Sequence, residues 1–177
     1  LHIVEWLHKN RKDGCLPDAL AEAARNGDLP MVQWLHAHRP EPPSSTAQAV
    51  DHAVLSGSLP LVQWLHQNLP DSATTDAIEY AAIQGRLDLV RFLHENRTEG
   101  CTTSAIDFAA SQGHRDVVEY LCENREEGCT ELAVDEARRR GFGDIADLLE
   151  KRFPVRAQPT HQVERIVREY QPGAPPR

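Results

Sequence analysis

The sequence predicts an all-α solenoid, a row of stacked helix–turn–helix units in which each unit shields the apolar sides of its neighbours. Three observations predict it. A ten-residue core returns as LHIVEWLHKN, LPMVQWLHAH, LPLVQWLHQN, LDLVRFLHEN and RDVVEYLCEN. Its aromatic column, Trp6, Trp34, Trp64, Phe92 and Tyr120, with Leu148 following, advances in steps of 28, 30, 28, 28 and 28 residues. A glycine column, Gly27, Gly57, Gly85, Gly113 and Gly141, advances with it. Self-similarity at a fixed period of this size marks a one-dimensional stack.

Taken in order, Leu1–Asn10 reads as the second helix of a unit whose first helix is missing, which predicts further chain upstream of Leu1. Full units follow at about 15–38, 45–68, 73–96, 101–124 and 129–150, so the solenoid spans residues 1–150. Within a unit, the first helix (Thr103 to Gln112 in the fourth) has Ala105, Ile106, Ala109 and Ala110 on one narrow face. Ser104, Asp107, Phe108, Ser111 and Gln112 are expected to point away from it. Such small side chains let one helix lie close against another. The second helix, from Leu87, carries Leu87, Leu89, Val90, Phe92, Leu93 and His94 on a wide apolar arc, as suits a helix covered from several sides.

The punctuation agrees. Thr46, Thr74, Thr102 and Thr130 stand just before the first helix, where N-caps belong. Pro17 falls at the first helical position, and the glycine column ends that helix, where a left-handed residue is wanted. Pro30 and Pro60 open second helices. The one 30-residue step reflects two extra residues in the loop Arg39–Pro43. The unit at 129–150 is more polar than the rest, as a terminal unit should be. Residues 151–177 read as a basic, proline-containing tail, partly disordered, with one short helix possible at Thr160–Tyr170.

Charge narrows the function. The tail holds six Lys/Arg against two Asp/Glu, so of the total of −8 the first 150 residues carry −12. That sign repels phosphate and argues against a nucleic-acid partner. No apolar run approaches the ~18 residues of a membrane span. Cys15, Cys101 and Cys129 share one register with Ser45 and Ala73, a position that asks for a small side chain and not a bridge. Equivalent positions in units stacked about 8–10 Å apart lie beyond disulfide reach. Free thiols place the chain inside the cell, in a reducing compartment such as the cytoplasm.

A resemblance follows from these residues. Ser104-Ala-Ile-Asp-Phe-Ala-Ala-Ser-Gln-Gly-His114 with Arg115-Asp-Val-Val-Glu-Tyr-Leu121 resembles the ankyrin repeat, T-P-L-H-x-A-A-x-x-G-H followed by x-x-V-V-x-x-L. Asp76–Gly85 and Asp18–Gly27 fit the same frame. The likeness covers roughly residues 1–150. Threonine-proline is absent, and Ala21, Asp51, Glu79, Asp107 and Asp135 replace the family's histidine. The period falls five short of the family's 33 residues, with the shortfall in the loop that usually makes a β-hairpin. The resemblance therefore implies a short, divergent ankyrin type with reduced or absent hairpins, acting as a protein-binding scaffold without catalysis.

His8, His36, His66 and His94 stand one per unit, too far apart to share a metal ion. Structural histidines bonded to backbone carbonyls are expected instead. The carboxylates Asp51, Glu79, Asp107 and Asp135 also come one per unit and form no acid–base pair; a role at helix starts and neighbouring loops is expected. The aromatic column reads as a packing ladder, with an exposed interface stripe as the alternative. No nucleotide-binding or hydrolase pattern is present.

That leaves the outward face of the first helices. One register there reads Glu22, His52, Tyr80, Phe108, Glu136, and another Asn26, Ser56, Gln84, Gln112, Arg140. Variation at solvent-facing positions on a constant frame suits a surface that reads one partner. Tyr80, Phe108 and His52 are the expected contacts on the concave face, rimmed by Gln84, Gln112, Arg25 and Arg140. The expected protein is a monomer that binds another protein, with no metal, cofactor, nucleic acid or membrane. The competing expectation is a structural spacer in a longer protein whose activity lies elsewhere.

Overall fold

The computed structural model describes residues 1–10, 18–38, 48–69, 73–98 and 100–153. Among them are eleven helices and no strand: α1 (His2–Asn10), α2 (Ala19–Arg25), α3 (Leu29–His38), α4 (Ala49–Leu55), α5 (Leu59–Asn68), α6 (Asp76–Ile83), α7 (Leu87–Asn96), α8 (Ser104–Gln112), α9 (Arg115–Asn124), α10 (Glu131–Arg139) and α11 (Gly143–Arg152). The expectations for Cys15, Pro17, Thr46, the Arg39–Pro43 loop and the tail beyond Phe153 fall outside the described residues.

From α2 onward the helices pair as hairpins, first helix against second, and the pairs stack. The first helices α2, α4, α6, α8 and α10 lie in broad contact with one another, while α7, α9 and α11 touch more sparingly. Side-chain size explains the difference. Ala53, Ala81, Ala82, Ala105, Ala109, Ala110 and Ala137 are all completely buried or nearly so, and helices faced with alanine approach closely. The alanines therefore serve the contact between units as well as the contact within one. The second helices contribute the bulk: Leu61, Val62, Leu65, then Leu89, Val90, Leu93, then Val117, Val118, Leu121.

Each hairpin turns at a glycine with positive φ, from 68° at Gly85 to 92° at Gly141. Gly85 and Gly113 are needed on two counts. Their left-handed backbone disfavours any side chain. A Cβ on Gly113 would also lie 2.6 Å from the Phe142 ring, and one on Gly85 would meet the His114 imidazole. Arg86, His114 and Phe142, each following a glycine, thus reach back over the preceding turn. Arg86 Nη1 donates to the Gly57 carbonyl at 2.7 Å, and a His114 ring nitrogen lies 3.0 Å from the Ile83 carbonyl oxygen.

The acidic register forms a second set of ties between units. Asp51 accepts the Thr74 N–H at 3.0 Å and its hydroxyl at 2.9 Å. Asp107 accepts the Thr130 N–H at 2.8 Å and its hydroxyl at 2.7 Å, and Glu79 accepts the Thr102 hydroxyl. The threonines do more than the expected capping. Thr74 and Thr102 accept from the N–H two residues on, but Thr75 and Thr103 occupy the formal cap positions, and no cap hydrogen bond comes from those side chains. Asp107→Ala should strand the Thr130 N–H and cost ~1–3 kcal/mol in urea unfolding. Asp135→Ala should cost under ~0.5 kcal/mol, because Asp135 is exposed and ties no following unit among the described residues.

The last described unit carries charge where the earlier ones are apolar or ringed. The register that is buried alanine or valine at Ala24, Val54, Ala82 and Ala110 becomes Arg138, and the register of His36, His66, His94 and Cys122 becomes Glu150. Arg138 Nη2 and Glu150 Oε2 pair at 2.7 Å. A unit so faced has no apolar surface at that register for a further neighbour to cover.

Candidate partner-binding face

From Trp64 to Tyr120 the aromatic column is a packing ladder with histidine rungs, while Trp6 is 61% exposed. The His36 ring meets Trp64 edge-on with centroids 5.3 Å apart, His66 meets Phe92 at 5.6 Å, and His94 meets Tyr120 at 5.8 Å, with interplanar angles of 84–89°. Each contact joins one unit to the next. The expectation that these histidines bond backbone carbonyls is corrected: their rings pack on the next unit's aromatic ring, and His66 Nδ1 accepts from Arg97 Nη1 at 3.3 Å. Edge-to-face pairing suits a ring whose rim is positive and whose face is negative. Carbonyl contacts are made instead by His38 and His114, each by one ring nitrogen. The His8 side chain lies outside the described residues. Among the described residues no three His, Cys, Asp or Glu side chains gather as a metal would need.

Cys101 and Cys122 carry free thiols. Burial raises the Cys122 thiol to about 12 and the Cys101 thiol to about 11, the latter with help from Glu127. Both stay protonated at neutral pH and are poor nucleophiles.

The outward residues of the first helices line two open cavities. Arg25, His52 and Tyr80 share one of about 180 Å³ with Asp51, Leu55 and Asp76. Its floor is polar and desolvated. Asp51 is 3% exposed, and burial pushes its carboxyl above the ordinary value against the pull of the Thr74 bonds. His52 Nδ1 is buried there with no hydrogen-bond partner among the described residues. Tyr80 is half-buried, its body packed on the core.

Phe108, Gln112 and Arg140 line the other, of about 350 Å³, between α8 and α10. Phe108 is 43% exposed. Of the seven residues singled out in the sequence, Gln84 alone lies in neither cavity; its side-chain amide donates to the Leu55 carbonyl at 3.0 Å and spans two units. Arg140 is steered by Glu136, whose Oε1 accepts its Nε at 2.6 Å. Hydrogen bonds from Arg139 and then Arg140 hold the Glu136 carboxyl at about 2.

Ser111 and Leu132 are among the lining residues not singled out in the sequence. Ser111, expected to point outward, is 8% exposed, because its hydroxyl turns back onto the Phe108 carbonyl at 2.9 Å and α10 packs over it. Leu132 is 73% exposed. A signal for it does exist: its register holds Asp18, Gln48, Asp76 and Ser104 in the other units.

Compared with known proteins, the chain matches a family model described as ankyrin repeats (many copies) over residues 20–66 and 78–121. No curated protein matches it. Among the described residues no helix is long and apolar enough to cross a membrane.

Proposed function

We propose, starting from the fact that this chain belongs to the ankyrin repeat family, that it is a non-enzymatic scaffold holding a partner protein on the concave, first-helix face of the stack. Ankyrin repeats generally mediate protein–protein interactions, and typical members are interaction modules without catalysis. Tyr80, Phe108 and His52 serve as the contacts, with Gln84, Gln112, Arg25 and Arg140 around them. The observation that carries this reading is that six of these seven residues line two open cavities on one layer, while the opposite side of the same helices is closed by alanine. Aromatic and arginine side chains in partly desolvated recesses dominate binding energy at protein interfaces. Cys101 and Cys122 form no bridge among the described residues, as a reducing compartment would keep them.

The test is a capture experiment with the wild type and a Tyr80→Ala/Phe108→Ala double variant, each checked for helicity. Loss of a specifically captured partner at unchanged helicity supports the reading. Equal capture by both proteins removes the first-helix face from consideration. Capture of nothing by either favours a structural spacer.

A further inference from the structure

The 350 Å³ cavity between α8 and α10 departs from the repeat frame at Leu132 and Ser111 and adds the Phe108 ring to them. Leu132 puts an exposed apolar side chain where the other units are polar, and Phe108 puts a ring where the preceding unit has Tyr80 and the following one Glu136. Ser111 replaces the longer Arg25, Leu55, Ile83 and Arg139 of its register, and this shortening opens space between the phenylalanine and the leucine. Two facing apolar walls over a floor of Ser111 and Ala133 will take an apolar side chain, whose burial there removes surface from water on both partners.

The polar groups at the rim are not equivalent. Toward the start of the two helices stands Asp107, with both carboxylate oxygens occupied by Thr130. Toward their ends stand Gln112, exposed, and Arg140, whose Nη groups have no partner among the described residues. Glu136 beside them has both oxygens taken by Arg139, with Arg140 Nε as a third donor. Its charge is already compensated, so an incoming carboxylate meets a spare guanidinium fork and an amide. A guanidinium suits a carboxylate because two parallel N–H groups match its two oxygens.

We propose that this cavity reads a linear segment of the partner in which an aliphatic or aromatic residue is followed closely by Asp or Glu. The apolar side chain sits between Phe108 and Leu132, Arg140 takes the carboxylate, and the Gln112 amide bonds the segment's backbone. The proposal rests on the reading that partners bind the first-helix face, and it names the chemistry of what binds.

The experiment selects a library of random twelve-residue peptides displayed on phage against the whole protein. Synthetic versions of the enriched peptides are then titrated by fluorescence anisotropy. Enriched peptides should share an apolar residue near an acidic one. Leu132→Ser should weaken binding about tenfold; the variant should fold, since serine returns the polar character of that register. Arg140→Gln should weaken the acidic peptide about tenfold and leave its Asn/Gln analogue unchanged, the scale of a lost charge-assisted hydrogen bond. Enriched peptides without an acidic residue, or indifferent to Leu132→Ser and Arg140→Gln, overturn this proposal. If such peptides still lose binding on Tyr80→Ala or Phe108→Ala, the first-helix face survives; if they ignore those changes too, it falls as well. Enrichment of no peptide overturns the linear-segment proposal, and the double-alanine capture still decides the face.

Discussion

A protein carrying Ala110→Arg should lose roughly 3–5 kcal/mol of stability, the cost of an uncompensated charge in a packed interior. Ala110 is fully buried, and the same register ends the stack as Arg138. Arg138 is tolerated because no described residue stacks beyond it and because Glu150 and Asp147 lie within 2.7 and 3.9 Å. One unit earlier those two places are held by Cys122, which is buried and protonated, and by Glu119, which already pairs with Arg115 at 2.8 Å. An arginine at 110 would therefore find neither water nor a spare carboxylate. In a stack held by nearest-neighbour contacts the damage should concentrate in α10 and α11. Native-state hydrogen exchange checks this: protection should collapse in those two helices and persist in α4 to α7. Arg138→Ala, which loses only exposed pairs, should cost no more than ~1 kcal/mol. A variant Ala110→Arg with wild-type protection throughout would contradict the packing described for this register.

Leu93→Ala should cost about 2–5 kcal/mol, combining lost transfer energy with the cavity left behind. Leu93 is 1% exposed on α7, and the neighbouring units repeat the same position as Leu65 and Leu121, both fully buried. With leucines above and below, the site has little room to collapse. Urea unfolding followed by circular dichroism measures the loss, and Glu95→Ala on the exposed side of the same helix should shift the midpoint by less than ~0.5 kcal/mol. Equal effects from the two substitutions would mean that α7 is not held between its neighbours.

The periodic frame was legible because a stack repeats its environment. A position buried in one inner unit is buried in its inner neighbours, so five copies of Val-x-x-Leu and three of Ala-x-x-Gly reinforce one another in a way that no single helix could. Exposed Arg91 and Glu95 and buried Leu89, Val90 and Leu93 fell where a 3.6-residue period puts them. The outward rows containing His52, Tyr80 and Phe108 were visible for the same reason, as departures from constancy. Contacts that cross from one unit to the next were much less legible. The edge-on histidine pairs depend on a ring two residues further along the helix of one unit reaching the aromatic of the next, and a column of letters does not record that reach. Ser111 looked outward by helical angle alone; its burial depends on how closely α10 approaches.

From its own residues this protein determined the number of bricks, their two-helix plan, the glycines that turn them and the charged unit at the end, since all of these are local or periodic and so written along the chain. The depth of the recess beside Phe108, the ties from Asp51 and Asp107 to the following threonines, and the pairing of each histidine with a neighbouring ring were decided only on assembly. Those features depend on distances between segments 23 to 30 residues apart, and such distances are set by how far alanine-faced helices can close upon one another.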